Sequence, residues 1–169
     1  MKNISVNRNP NNNELKNLLE NSFREVLKDE TGYFQGDLNQ DSLKDWFDFD
    51  EMIKYLSCGS LVEARDDTNV LIGAGFIAKQ HPISWLDGHK AELFIIGVLP
   101  GTQNKGLGSE ILHVSEEEAK KFGAESVIIN AHSMQPQLHK FYEKNGYQKI
   151  GELQNYYSNG NATFYIKKL

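Results

Sequence analysis

Hydrophobic residues recur along the chain with two periods, and these periods predict seven strands and about four helices. Apolar residues that alternate with polar ones, or that form short runs rich in β-branched and aromatic side chains, predict strands. The predicted strands are 2–8, 60–65, 70–79, 90–99, 126–131, 147–157 and 161–168. Apolar residues three or four positions apart predict helices at 13–28, 42–57, 109–122 and 137–145, which end near Gly59, Gly123 and Gly146.

The order of these elements predicts an α+β fold. A helix joins strand 90–99 to strand 126–131, and a right-handed crossover of this kind makes two strands parallel. We therefore expect a mixed, mostly antiparallel sheet of about seven strands with a central parallel pair, flanked by about four helices. With 169 residues, the chain suits a single domain over positions 1–169.

Composition narrows the class of protein. The net charge of −5 gives no reason to expect nucleic acid or an acidic membrane as a partner. No apolar run approaches the roughly 18 residues of a membrane span, and the first residues lack the hydrophobic segment of a signal peptide, so we expect a cytoplasmic protein. Cys58 is the only cysteine, which excludes an internal disulfide, and we expect it to be a small packed side chain. The five histidines show no spacing typical of metal ligands, so no metal is predicted.

The segment between strand 90–99 and the following helix is a candidate anion-binding loop. Backbone N–H groups at a helix N-terminus attract a phosphate, and glycines let the phosphate approach the main chain. The spacing excludes a P-loop, because Gly101 and Gly106 are followed by Leu107-Gly108 instead of lysine and a hydroxyl residue. It also excludes the dinucleotide fingerprint, which needs glycine or alanine where Ile111 stands.

Two motifs in this half of the chain resemble those of the GNAT-type N-acetyltransferases. QNKGLG at 103–108 resembles the family's signature Gln/Arg-x-x-Gly-x-Gly/Ala, and LHKFYEKNGY at 138–147 resembles its closing helix. The resemblance extends from about Leu61 to Leu169, whereas the N-terminal helices match only in type. It implies the GNAT fold and acetyl-CoA as the cosubstrate, with no metal.

The resemblance also implies which residues bind acetyl-CoA. Loop amides would bind the pyrophosphate, strand backbone would pair with the pantetheine arm, and Gln135 stands where the family usually has asparagine. The implied cofactor-binding residues are Ile96, Gly97, Val98, Gln103, Asn104, Lys105, Gly106, Leu107, Gly108, Ser109 and Gln135.

Two residues are candidates for proton transfer. Tyr142 matches the family tyrosine that protonates the departing thiolate, although its helical spacing equally suits a core residue. Glu92 is the first choice of base, because strand alternation places it on the face of Phe94, Ile96 and Val98, where apolar neighbours raise the pKa of a carboxylate. The alternative is that Glu92 lies at the solvated start of the strand. His132 is the second choice of base; we expect His89 and His139 at the surface.

The acceptor is the least determined part of the prediction. Carboxylates and aromatic residues are interleaved at 34–51, a region that overhangs the acceptor pocket in the family and would suit a cationic amine. A solvated acidic helix face is the alternative. We predict transfer of an acetyl group to a primary amine by direct attack in a ternary complex, with a small molecule as the favoured acceptor. A protein N-terminus or lysine, a non-catalytic acyl-CoA-binding module, an acyl group other than acetyl and a homodimer stay open.

Overall fold

The structure is a computed structural model that describes residues 2–7, 10–28, 58–79, 89–157 and 160–169. These residues form seven strands and three helices. In chain order they are β1 (Asn3–Asn7), α1 (Asn12–Lys28), β2 (Gly59–Arg65), β3 (Leu71–Ala78), β4 (Lys90–Val98), α2 (Leu107–Lys121), β5 (Ser126–His132), α3 (Pro136–Lys144), β6 (Gln148–Tyr157) and β7 (Gly160–Lys168).

All seven strands belong to one sheet with the order β1-β2-β3-β4-β5-β7-β6. Only β4 and β5 are parallel among these neighbours, and the other five pairs are antiparallel. The predicted α+β sheet with its central parallel pair is therefore confirmed. The helix predicted at 42–57 lies outside the described residues, and the single domain stays a prediction.

The helices cover the two faces of the sheet with separate apolar clusters. On one face, called the α1 face below, Leu15 and Leu19 pack with Phe76 and Ile95. On the opposite α2 face, Leu107 and Ile111 of α2 pack with Val62 and Ala64, and Tyr142 of α3 packs with Leu112 and Ile129. Burial of these side chains, at about 25 cal/mol per Å² of apolar surface, holds the three layers together.

The parallel pair at the centre of the sheet is short. β4 and β5 pair only from Lys90 opposite Ser126 to Glu92 opposite Ile128, although β4 continues to Val98 and β5 to His132. Within the described residues, no strand pairs with the β5-facing edge of β4 beyond Glu92. We call this opening the β4–β5 gap.

A bulge in β4 changes which residues share a face. Ile95 pairs with Phe76 and Leu93 with Ile77, so Phe94 is the extra residue. Ile95 consequently points to the α1 face, while Ile96 and Val98 pack on the α2 face. Glu92 alternates with Ala91 and Leu93, which pack with α2, and therefore lies on the α1 face. The prediction that Glu92 shares a face with Ile96 and Val98 is wrong, because strict alternation ignores the bulge.

Three local predictions also need correction. Gly59 does not end a helix in a left-handed conformation; it begins β2, where an added Cβ would lie 2.2 Å from the carbonyl oxygen of Ile77. Cys58 is exposed and not packed in the core. Helix α2 begins at Leu107, two residues earlier than predicted, because the left-handed Gly106 is its N-cap.

Candidate active site

The loop between β4 and α2 is held in shape by its own hydrogen bonds. The amide of Thr102 donates to the carbonyl of Leu99 at 3.1 Å, which closes a turn. The side chain of Gln103 donates from Nε2 to the carbonyl of Val98 at 3.1 Å, and Lys105 donates from Nζ to the carbonyl of Gly101 at 2.9 Å. Both polar side chains thus contact the loop itself, which stiffens it.

The amide groups of this loop are available to an anion. Glu110 makes the first hydrogen bond of α2, from its amide to the carbonyl of Gly106 at 3.1 Å, so the amides of Leu107, Gly108 and Ser109 precede the helical bonds. Among the described residues, no amide from 103 to 109 donates to another backbone carbonyl. The positive φ of Gly106, 82°, orients the chain from the loop into the helix. The arrangement fits a phosphate at a helix N-terminus.

The loop meets α3 at Gly108. A Cβ at Gly108 would lie 3.4 Å from the ring of Phe141 and 3.9 Å from the side chain of Val98. Phe141 in turn contacts Tyr142, with ring centroids 5.4 Å apart. The two sequence motifs, which lie about thirty positions apart in the chain, therefore meet in space. Leu107 is buried in the core, so only its amide can face a ligand.

Tyr142 is a buried residue of the α2 face. Its ring lies 6.1 Å from that of Tyr147 and 5.8 Å from that of Tyr165, and its side chain is 4% exposed. Burial, with a smaller effect of Tyr165, raises the pKa of Tyr142 above its ordinary value of 10.0. The hydroxyl therefore keeps its proton at neutral pH, which suits a proton donor and excludes a base.

Glu92 is buried and not at a solvated strand end. The residue is 3% exposed, and Ala78 and Ile128 stand opposite it on the neighbouring strands. Its Oε1 accepts a hydrogen bond from Nδ2 of Asn130 at 3.3 Å. The carboxylate lies where β4 and β5 begin to separate. We call this the closed end of the gap, and we call the end beside the loop between β4 and α2 the open end.

His132 lies across the gap from Glu92, on β5 and on the same face of the sheet, but is poorly suited to accept a proton. The ring is 2% exposed, and its Nδ1 accepts a hydrogen bond from the amide of Met134 at 3.2 Å. A neutral imidazole has one acceptor nitrogen, so the proton of the neutral ring is on Nε2. Accepting a second proton at Nδ1 would break the bond to Met134. This geometry favours Glu92 over His132 as the base.

The other two histidines differ from each other. His89 is exposed, as expected. His139 is half-buried instead: Nε2 donates to the carbonyl of Ser133 at 3.0 Å and Nδ1 accepts from the hydroxyl of Tyr165 at 2.8 Å. These two bonds attach α3 to the end of β5 and to β7. Neither bond could be inferred from the sequence, because Ser133 and Tyr165 belong to other parts of the fold.

Gln135 lies at the start of α3, beside the gap. Its amide donates to the carbonyl of His132 at 3.1 Å, and its carbonyl accepts from Leu138 at 3.0 Å. Its side chain makes no capping hydrogen bond to the helix. The backbone of Gln135 thus fixes the turn from β5 into α3, and the amide side chain is not used by the helix.

Two further residues of the site were not identified from the sequence. Tyr157 of β6 donates its hydroxyl hydrogen to Oδ1 of Asn130 at 2.5 Å, and its ring stacks on His132 with centroids 5.1 Å apart. Burial, and then the neighbouring Tyr156 and Tyr142, raise the pKa of Tyr157. Asn130 interrupts the apolar sequence of β5, and this is the only signal that could have indicated it.

The described residues also limit two other classes of site. Among them, no group of three or more His, Cys, Asp or Glu could hold a metal ion. None of the helices that the structure describes is long and apolar enough to cross a membrane.

Comparison with known proteins identifies the family of this architecture. A sequence model described as the acetyltransferase (GNAT) family matches residues 20–147. No curated protein matches the chain.

Several solved structures share the fold. The PaiA N-acetyltransferase from Thermoplasma acidophilum in complex with coenzyme A superposes with a TM-score of 0.73 at 16% identity, over 99% of each chain. An IAA acetyltransferase from Bacillus cereus ATCC 14579 gives 0.70 at 17% identity, over 100% of each chain. A GNAT family acetyltransferase from Elizabethkingia anophelis with acetyl-CoA bound gives 0.69 at 17% identity, over 99% of this chain and 98% of that chain.

Proposed function

The chain belongs to the GNAT acetyltransferase family, and we propose that it transfers an acetyl group from acetyl-CoA to a primary amine. The family uses acetyl-CoA as its cosubstrate, and related structures contain acetyl-CoA or coenzyme A. One observation supports the proposal: the β4–β5 gap has, at one end, a loop whose amides donate to no backbone carbonyl among the described residues and, at the other end, a buried carboxylate.

The donor binds along the open edge of β4. The amides of residues 103–109 take the two phosphates at the N-terminus of α2. The pantetheine arm adds to the edge of β4 beside Ile96, Gly97 and Val98, in the way an extended peptide adds a strand. The carbonyl of Val98 already accepts a hydrogen bond from Gln103, so its second lone pair is the one left for the donor. Gln135 faces the arm from the start of α3.

The chemistry needs one proton acceptor and one proton donor. Glu92 takes the proton of the amine, whose nitrogen forms a bond to the thioester carbon. Strand amides of β4 stabilise the oxyanion, the C–S bond breaks, and Tyr142 gives its hydroxyl proton to the sulfur. The products are the N-acetylated amine and coenzyme A. Holding both reactants in one ternary complex supplies the entropic part of the rate enhancement.

A small cationic amine is the acceptor that the described residues favour. Phe94, the bulged residue of β4, lies on the same face as Glu92, and its side chain is 40% exposed. An aromatic ring beside a carboxylate attracts a cation. The acidic and aromatic positions at 34–51 that prompted this expectation lie outside the described residues. The cytoplasmic location and a homodimer are further expectations from the sequence.

A non-catalytic acyl-CoA-binding module is the second candidate. Such a module needs the loop but neither a buried carboxylate at the gap nor a protonated tyrosine beside it. Burying an unneeded carboxylate costs stability, so Glu92 favours the enzyme.

The test is release of free thiol from acetyl-CoA in the presence of polyamines, aromatic monoamines, amino acids, aminoglycosides and a lysine-containing peptide. We expect release with at least one amine, and mass spectrometry should find that amine heavier by one acetyl group. Isothermal titration of acetyl-CoA into the same protein measures donor binding separately. Tight donor binding with no thiol release above background for any amine would instead identify a binding module.

A further inference from the structure

We propose that Asn130 and Tyr157 are positioning residues that hold the carboxylate of Glu92 ionised and oriented in the gap. The inference rests on the proposed role of Glu92 as base. Three side chains from three strands form one chain of hydrogen bonds, from the Tyr157 hydroxyl to Asn130 and from Asn130 to Glu92. Glu92 is buried and Asn130 and Tyr157 are half-buried, so solvent screens these bonds less than it would at the surface.

The donor and acceptor in each of these hydrogen bonds follow from the chemistry of the Glu92 carboxylate and the Tyr157 hydroxyl. An ionised carboxylate can only accept hydrogen bonds, so Asn130 must present its NH2 group to Glu92. The carbonyl oxygen of the same amide then faces Tyr157, whose hydroxyl donates to it. The carboxylate thus sets the orientation of the amide, and Tyr157 anchors the amide in that orientation by donating to its oxygen.

The end of β6 is shaped to bring Tyr157 to this position. The register between β6 and β7 shifts between Leu153 and Tyr157, and Asn155 has a positive φ of 55°. Its amide donates to Oδ1 of Asn161 at 3.0 Å, which fixes the irregular stretch. β7 lies between β6 and β5 and presents only the methyl group of Ala162 opposite His132. The ring of Tyr157 can therefore reach across β7 and stack on His132.

The donor from Asn130 stabilises the charged form of Glu92, because a hydrogen bond to a carboxylate favours ionisation. The described part of the chain places other titratable groups around Glu92 and its hydrogen-bond partners. Lys90 lies on the same face of β4 as Glu92, His132 of β5 stacks on Tyr157, and Tyr142 of α3 is close enough to Tyr157 to affect its pKa. β3 presents Ala78 opposite Glu92 and adds no charge. Asn130 donates a hydrogen bond to Oε1 of this carboxylate.

The test measures the titration of Glu92 directly and needs no acceptor. The side-chain carboxyl carbon of Glu92 is followed by NMR in protein labelled with 13C-glutamate, with its signal assigned by Glu92→Gln. We expect Asn130→Leu to raise the pKa of Glu92 by about one unit, because it removes the donor and adds apolar surface. Tyr157→Phe should raise it by less, since the donor from Asn130 remains but the amide loses the hydrogen bond that anchors and polarises it.

Tyr156→Phe is the matched control. It removes a hydroxyl from the adjacent residue, whose ring contacts the rings of Tyr157 and Phe164. The titration of Glu92 should not change in this variant. An unchanged titration in both Tyr157→Phe and Asn130→Leu would overturn the proposal, and so would equal shifts in Tyr156→Phe and Tyr157→Phe. If Asn130→Leu fails to fold, the conservative Tyr157→Phe still decides.

The two proposals fail in different ways. If the pKa of Glu92 shifts as expected but no amine is acetylated, the hydrogen-bond chain stands and the enzymatic proposal is lost. If an amine is acetylated and the titration does not move, the enzyme stands and Asn130 and Tyr157 have no positioning role. With an identified acceptor, Tyr157→Phe should lower kcat and move the acid limb of kcat to higher pH, without changing the KM for acetyl-CoA.

Discussion

The two ends of the β4–β5 gap are built in different ways. At the open end, the backbone amides of seven consecutive residues, 103–109, donate to no backbone carbonyl among the described residues, and we propose that they bind the donor. At the closed end, side chains from β4, β5 and β6 form the hydrogen-bond chain, with partners 38 and 27 positions apart in sequence. Backbone groups are the same in every residue, whereas the closed end depends on particular side chains. Substitutions should therefore affect donor affinity at one end and the rate of transfer at the other.

The largest expected effect is at the closed end. Glu92→Gln keeps the shape of the side chain but removes the proton acceptor, so kcat should fall by about 10²- to 10⁴-fold. The affinity for acetyl-CoA, measured by isothermal titration, should stay the same because the loop is untouched. A drop in donor affinity of similar size would show that the two ends are not separable.

Glu63→Gln is the control for Glu92→Gln. Glu63 is also a buried glutamate, 2% exposed, on β2, where it pairs with Arg65 at 3.1 Å. Its neutralisation should lower the free energy of unfolding, since Arg65 loses a buried partner. The remaining folded protein should keep its kcat. Equal losses of kcat in both variants would mean that any buried charge change disturbs the site.

The second largest effect is at Tyr142, which is buried on the α2 face. Tyr142→Phe should lower kcat by about 10²-fold with little change in the KM for acetyl-CoA, because only the leaving sulfur loses its proton donor. Since burial raises the pKa of Tyr142, its ionisation should not reduce the wild-type rate below pH 10.0. Stopped-flow measurements of thiol release across this range provide the check.

Tyr147→Phe supplies the comparison for Tyr142→Phe. Tyr147 belongs to the same aromatic cluster, but its hydroxyl donates to Oε1 of Glu116 at 3.1 Å, away from the gap. Its loss should lower stability by about 1 kcal/mol or more and leave kcat unchanged. If Tyr142→Phe behaves like Tyr147→Phe, Tyr142 is a core residue and the thiolate finds its proton elsewhere.

The same difference explains what could be predicted from the sequence. The loop lies within one continuous segment, so the spacing of Gly106 and Gly108 was enough to locate it. The positions of the strands along the chain followed from periodicity, and the parallel pair followed from the helix that joins β4 to β5. Asn130 and Tyr157 could not be found, because their roles depend on a register shift in β6 and on the small Ala162 between them. The face of Glu92 was misassigned because one extra residue, Phe94, reverses the alternation after it.

The third effect is specific to the open end. Gly106→Ala should weaken acetyl-CoA binding by about tenfold, because alanine disfavours the left-handed conformation that directs the loop amides. The kcat at saturating acetyl-CoA should change little. Gly123→Ala is the control at the other end of α2, where φ is 80° and nothing lies within 4 Å of an added Cβ. Both variants should lose about 1 kcal/mol of stability, and only Gly106→Ala should lose affinity.

The smallest effect reaches the closed end from the surface. The side chain of Asn161 accepts from the amide of Asn155 at 3.0 Å and donates to Glu152 at 2.9 Å, so it fixes the irregular end of β6 that carries Tyr157. Asn161→Ala should release this stretch, weaken the hydrogen bond from the Tyr157 hydroxyl to Asn130 and lower kcat a few-fold, with donor affinity unchanged.

Lys149→Ala is the control. It removes another partner of Glu152, at 3.3 Å, leaves the hydrogen bond of Asn155 intact and should leave kcat as it is. A lowered rate in Asn161→Ala alone would show that a half-buried asparagine of β7 acts on the buried carboxylate through β6 and β5. Equal rates in the two variants would limit the hydrogen-bond chain to its buried members.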